Sequence, residues 1–275
     1  MPLRIGTNVT SLYVQRKLGI AQERGAHAMQ ALASGQRIVT AADDAAGFAI
    51  AENLRGKAVG LGRARQNAEH GISLIQVAEG GLSEQNNILI RMRELAVQAA
   101  SDGISDEERG FLDKEFSLLE EEFDRISKST TFGSSKLLEG TGQSFEFHVG
   151  AESSSSNTIA LKLDADSSAS TMGVTGLSIG DKDEAVGNLE TLDSAIQKLA
   201  GIRAGFGALQ SRFQFAINNL DQQVENIQAA RSRIVDADVA KETSELAQSQ
   251  ILQQFGTAVL AQANTAATSA LRLIS

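Results

Sequence analysis

The sequence predicts a mainly α fold: a long antiparallel coiled-coil helix bundle with one small β-hairpin region. Three observations carry this reading. The 275 residues include one Pro, one Tyr and no Trp, while Ala, Leu, Gln, Glu and Ser dominate, a bias toward long helices and away from packed sheets. Two stretches, one in each half of the chain, place apolar residues at every seventh position. One short segment between them alternates apolar with polar residues instead.

Taken in order, Ile5, Val9, Leu12 and Ile20 outline an amphipathic N-terminal helix. Asp43 and Asp44 follow in "RIVTAADDAAGFAIA". Adjacent carboxylates splay apart on a helix, so the pair is read as the turn and cap that open the next helix, with Thr40 sharing that work. That helix covers residues 44–100 and would extend roughly 85 Å at about 1.5 Å per residue. Its seam is Leu54, Leu61, Ala68, Ile75, Leu82, Leu89 and Ala96, reinforced by Ala64, Ala78, Met92 and Ala99 and interrupted by Lys57, Gly71 and Gln85. A repeat sustained for so many heptads predicts one continuous coiled-coil stripe.

Ser105 and Glu108 make the S-x-x-E capping box of a third helix, with Asp106 and Glu107 in its positive first turn. Leu112, Phe116, Leu119, Phe123 and Ile126 then repeat at four-three spacing, which folds this helix back on the one before it. Gly133, Gly140 and Gly142 end the helical signal, and "SFEFHV" and "TIALKL" predict a hairpin joined by "GAESSSSN", whose serines form a solvated tip. The second seam is Leu192, Leu199, Phe206, Phe213, Leu220, Ile227 and Ile234, with Ala195, Ile202, Leu209, Ala216 and Ala230 three positions later. It is bulkier than the first, so the two stripes are expected to interdigitate large with small. Leu252, Phe255, Val259, Ala263, Ala266 and Ala270 outline a terminal helix of low side-chain volume. Single helices of this kind are marginal in water, so each terminus needs a partner.

Several functions are disfavoured by what surrounds these elements. A net charge of −9 and a pI near 5.0 repel a phosphate backbone, and nucleic acid is not an expected partner. The chain has no cysteine for a disulfide or thiolate site. Its N-terminus lacks a continuous apolar h-region. Residues 246–271 carry no charge but are too rich in Gln, Asn, Ser and Thr to insert in a membrane. "GLG" at 60–62 lacks the third glycine of a dinucleotide loop, and His27, His70 and His148 have no metal-ligand spacing. No catalytic, cofactor-binding or metal residue is assigned, and an enzyme is not expected.

Several segments carry a resemblance to a known family. "TNVTSL", "LASGQRIVTAADDAAGFAIA", "NAEHGISLIQVAEGGLSEQNNIL" and "RMRELAVQAA" near one end, and "RIVDADVAKETSELAQSQILQQ" and "LAQAN" near the other, resemble bacterial flagellins in both wording and order. The chain departs from them at Gly6, Ala33, Val39 and Ala267, where flagellins usually carry Asn, Ser, Asn and Pro. The resemblance implies a short flagellin without variable outer domains. Residues 1–43 and 237–275 would be the inner, filament-core helices; 44–130 and 183–236 the outer helical domain; and 131–182 its hairpin and loops.

On that resemblance the chain polymerises with itself into the flagellar filament for swimming, outside the cell, beneath a membrane sheath, or in the periplasm. Polymerisation would use Val9, Leu12, Leu252, Phe255, Val259 and Ala263, with the terminal helices ordering as copies assemble. Other implied partners are an export chaperone near residues 246–275, the type III export apparatus, and hook-associated junction and cap proteins. Arg91, Leu95 and Glu115 match flagellin positions that contact a Toll-like receptor. Two rival readings are a hook-filament junction protein and a coiled-coil adaptor that does not polymerise.

Overall fold

The computed structural model describes residues 7–272, with side chains to residue 265, so the expectations for Ile5 and Gly6, and for the side chains of Ala266, Ala267 and Ala270, lie outside the described residues. Its elements in chain order are α1 (Val9–Ser34), α2 (Ala45–Ala99), α3 (Asp106–Ser129), β1 (Thr131–Phe132), β2 (Ser135–Lys136), β3 (Ser144–His148), β4 (Thr158–Lys162), α4 (Ala169–Met172), α5 (Lys182–Val235) and α6 (Val239–Arg272). The mainly α architecture is the one expected from the sequence. Two compact units divide the chain: residues 1–57 with 226–275, and residues 58–225. The divisions fall inside α2 and α5.

In the second unit one hydrophobic core collects side chains from α2, α3, α4, α5, the β3–β4 hairpin and the loops around them. Leu61, Ile75, Leu82 and Leu89 of α2 are buried, as are Leu192, Leu199, Phe206, Phe213 and Leu220 of α5. The two helices run antiparallel here: Arg65 reaches Asp221, Glu79 reaches Arg203, and Arg93 reaches Asp193 at 2.6 Å. Ala68 and Ala96 are buried in the same unit, while Leu54, Ile227 and Ile234 belong to the first unit, where they are half-buried.

Two interruptions of the α2 heptad have physical causes. Gly71 is where the Phe213 ring lands; a Cβ on Gly71 would sit 2.7 Å from Phe213 Cζ. Phe147 of β3 packs its ring edgewise on the same Phe213, with centroids 5.5 Å apart, so one aromatic pins α2, α5 and the hairpin together. Gln85 is fully buried, and its Nε2 donates to the carbonyls of Phe123 and Ser167, both at 3.1 Å. Gln85→Leu keeps the volume but removes a donor from Phe123 O, which retains its helical hydrogen bond within α3, and from the loop carbonyl Ser167 O, which loses its partner, so the unit should lose about 1–3 kcal/mol. Chemical denaturation measures this, and an unchanged midpoint would show that water satisfies Ser167 O.

Helix α3 begins on the capping box read from the sequence: Glu108 N donates to Ser105 Oγ, and Ser105 N donates to Glu108 Oε2 at 2.9 Å. It folds back on α2, with Phe116 and Phe123 buried and Leu112 and Leu119 packed on the core. Arg109, 7% exposed, donates from Nε to Ala99 O at 2.9 Å and from Nη2 to Ser101 O at 3.2 Å. It thereby stops α2 with a cation at the negative end of the helix dipole. Strands β3 and β4 pair antiparallel from Ser144↔Lys162 to His148↔Thr158. Their connection closes on a 3-10 turn at Ser155–Asn157 and is one residue longer than the eight anticipated, because Val149 falls outside β3 although its N still donates to Asn157 O at 2.7 Å.

Candidate assembly surface

The first unit is built on α1 and α6. Asn8 Nδ2 donates to Ala263 O, Ser11 Oγ to Asn264 Oδ1, and Gln253 Nε2 to Ala21 O. From Ser11 to Ala21 the partner number falls from 264 to 253, so the helices are antiparallel. Asn8 also starts α1, its Oδ1 accepting from Ser11 N at 3.0 Å. Asp238 does the same for α6, accepting from Ala240 N at 2.9 Å.

The face between these helices is made mostly of small side chains, with Leu18 packed on Gly256. Ser11, Ala21, Gly25, Ala28 and Ala31 are the buried residues of α1, and Ser249 is buried on α6. A Cβ on Gly25 would approach Ser249 Oγ to 2.7 Å, and one on Gly256 would meet Leu18 Cδ1 at 3.1 Å. Large apolar side chains point the other way: Val9, Leu12, Tyr13, Ile20, Leu252, Phe255 and Val259 are all exposed, Phe255 to 65%. Ala263 is half-buried. Tyr13, Leu18, Ile20, Leu252, Phe255 and Val259 line a common groove of about 390 Å³, with Lys17 and Arg24 among its lining residues. The pair thus withdraws little apolar surface from water and displays most of it.

The chain around Asp43 closes this unit. Asp43 Oδ2 accepts from Thr40 N at 2.8 Å and from Val39 N at 3.0 Å, while its Oδ1 lies 3.2 Å from His27 Nε2 on α1. The Thr40 backbone hydrogen bond holds the Asp43 carboxyl below the usual aspartate range, helped by the Val39 amide and His27. Asp44, not Asp43, opens α2: its Oδ1 accepts from Gly47 N at 2.9 Å. The turn and cap functions assigned jointly to the pair are therefore divided between them. Gly35, in the left-handed conformation at φ 68°, ends α1 and lets residues 35–37 pair with 235–237. Arg37 then donates to Ile234 O at 2.6 Å, neutralising the end of α5.

In the second unit Arg91 forks onto Glu115 Oε1, through Nη2 at 2.8 Å and Nε at 2.9 Å, and also reaches Glu94 at 3.1 Å. The Glu115 hydrogen bond is the chief cause that raises the guanidinium above its ordinary range. Leu95 is fully buried in the core beneath. Its side chain has no surface open to solvent. Among the described residues no group of three or more His, Asp or Glu could hold a metal, and no helix is long and apolar enough to cross a membrane.

Comparison with known proteins matches this architecture at both ends. The bacterial flagellin N-terminal helical region matches residues 5–143, and the bacterial flagellin C-terminal helical region matches residues 189–274. The chain belongs to the bacterial flagellin family. A flagellin of Halalkalibacterium halodurans is 41% identical over 98% of this chain and 99% of its own. The flagellar filament 30.7 kDa core protein of Treponema maltophilum is 38% identical over 98% and 99%. The crystal structure of Bacillus cereus flagellin, 33% identical, covers 60% of this chain and 94% of that one with a TM-score of 0.51. A flagellar hook-associated protein of Vibrio parahaemolyticus shares the fold at 11% identity, with a TM-score of 0.59 over 70% of this chain. Family membership makes the chain a structural subunit of the flagellar filament, not a member of a known enzyme family.

Proposed function

We propose that copies of this chain polymerise for swimming motility through the outward apolar faces of α1 and α6. One observation supports this above the rest: these helices hide small residues between themselves and leave Leu12, Leu252, Phe255 and Val259 in water. An apolar surface that meets a different surface of the next copy gives head-to-tail contacts that need not close into a ring. The expected result of Phe255→Asp combined with Leu12→Asp is loss of pelletable filament where the parent chain assembles, with the helicity of the subunit retained. Normal filaments from the double variant would overturn the proposal.

The partners implied by the family fit the same reading. Until copies cover it, the α6 face needs protection, which an export chaperone over residues 246–275 would supply. Passage through the type III export apparatus delivers the subunit to the filament outside the cytoplasm, where hook-associated junction and cap proteins bound its two ends. For a Toll-like receptor, Arg91 and Glu115 are the side chains available, with Leu95 supporting the helix that carries Arg91.

A further inference from the structure

The turn between α2 and α3, inside the unit of residues 58–225, holds the chain's single Asp-Gly pair, Asp102–Gly103. Both ends of this turn are anchored. Arg109 Nη2 holds Ser101 O at 3.2 Å on one side, and the Ser105–Glu108 capping box fixes the other. Between the anchors Asp102 and Gly103 stand in water, the Asp102 side chain 85% exposed. Among the described residues the Gly103 N–H meets only Ser101 Oγ, at 3.4 Å, and no backbone carbonyl. No side chain screens that nitrogen, and a Cβ on Gly103 would approach nothing closer than Ser101 Oγ at 3.7 Å.

We infer that Asp102–Gly103 is a covalent modification site, at which the aspartate isomerises to isoaspartate at a rate set by its ion pair with Lys182. The Gly103 nitrogen attacks Asp102 Cγ: the N–Cγ bond forms, the amide proton passes to solvent, and the Cγ–O bond breaks with loss of water. Water then adds to the Asp102 backbone carbonyl carbon in the resulting imide ring and breaks its bond to the Gly103 nitrogen. One water leaves and one returns, so no other reactant is needed. The main chain now runs through Cγ, and a carboxylate sits directly on Cα. Lys182, the first residue of α5, opposes this: its Nζ lies 2.5 Å from Asp102 Oδ1. That hydrogen bond is the chief cause holding the Asp102 carboxyl below the usual aspartate range. An ionised carboxylate is a poor electrophile, and a paired one is kept from swinging onto its own backbone. The product carboxylate, one methylene shorter, no longer reaches Lys182 and stands on an exposed turn, open to an S-adenosylmethionine-dependent isoaspartyl carboxyl methyltransferase.

The test ages full-length protein for weeks at neutral pH and physiological temperature. Isoaspartate is read by methyl transfer from labelled S-adenosylmethionine with an isoaspartate-specific methyltransferase, and is placed by electron-transfer fragmentation of the peptide containing residue 102. It is expected to accumulate at Asp102 and not at Asp106, whose side chain is 95% exposed but is followed by Glu107. Gly103→Ala, which the open space around residue 103 accommodates, should lose the signal. Lys182→Gln should raise the initial rate several-fold, since it frees the carboxyl without touching the Asp-Gly bond. Absence of isoaspartate at residue 102, equal accumulation at Asp106, or a signal that survives Gly103→Ala would overturn the site. An unchanged rate in Lys182→Gln would overturn the control assigned to the ion pair.

Discussion

Phe213→Ala is expected to destabilise the unit formed by residues 58–225 by about 3–5 kcal/mol, among the largest effects of any single truncation in the core. Its ring is fully buried, seated over Gly71 on one side and against the Phe147 ring on another. Removing it empties a space that α2, α5 and the hairpin all border, and three long elements do not collapse easily into one hole. The reciprocal change tests the same contact from the other side. Gly71→Ala places a methyl group 2.7 Å from Phe213 Cζ, against a ring that the hairpin prevents from retreating, and should cost about 1–3 kcal/mol despite the gain in helix propensity. Combining Gly71→Ala with Phe213→Leu should recover part of that loss, because a smaller side chain makes room for the methyl. Denaturation midpoints followed by circular dichroism, with hydrogen exchange across residues 65–82, give the comparison. Additive losses in the double variant would mean that the two positions do not share a contact.

The same pair shows what was legible in the sequence. Heptad spacing located α2 and α5, and the greater volume of the second stripe anticipated large-into-small packing, because both follow from local periodicity. The partner of each interruption was not legible. Nothing in the α2 segment says that Gly71 faces Phe213, or that Gln85 reaches the carbonyls of Phe123 and Ser167, since those contacts join positions 38 to more than 80 residues apart. A glycine and an amide inside an otherwise apolar seam were nevertheless a usable signal: a seam tolerates them only where another element enters. The capping box of α3 was readable in full because all of its atoms lie within four residues.

The site divides in the same way. The outward stripes of α1 and α6 are visible as weak amphipathic patterns, and among the described residues Val9, Leu12, Ile20, Leu252, Phe255 and Val259 are exposed and Ala263 is half-buried. Their helix-to-helix face was harder to see, because serine, alanine and glycine make a poor hydrophobic signal even when they pack most closely. No histidine stands beside Asp43 in sequence, yet α1 returns His27 to within 3.2 Å of it. The division of labour between Asp43 and Asp44 likewise depends on which way the chain bends after Gln36. Leu95 was assigned by position in a motif alone, and only packing reveals that its side chain faces inward.

Gly25→Leu is expected to abolish filament formation, lowering polymer yield by at least about a hundred-fold, while leaving the unit of residues 58–225 at its original stability. Gly25 lies where α1 and α6 pack closely, 2.7 Å separating its missing Cβ from Ser249 Oγ and 3.2 Å from Gln253 Nε2. An alanine there is tolerable: Ser249 can turn its hydroxyl away, giving up its 2.8 Å bond to Leu246 O, and helix propensity returns about 1 kcal/mol. A leucine has no such escape, because its branches must push the helices apart along the whole line of Ala21, Ala28 and Ala31. The separation would break the geometry that presents Leu12 and Phe255 on a common unit. Gly19→Leu is the matched control, since a Cβ on Gly19 meets nothing within 4 Å, and it should still assemble. Sedimentation after seeding measures polymer, and thermal denaturation reports the remainder of the subunit. Filaments from Gly25→Leu at parental yield would show that the close pairing of α1 with α6 is not required for assembly.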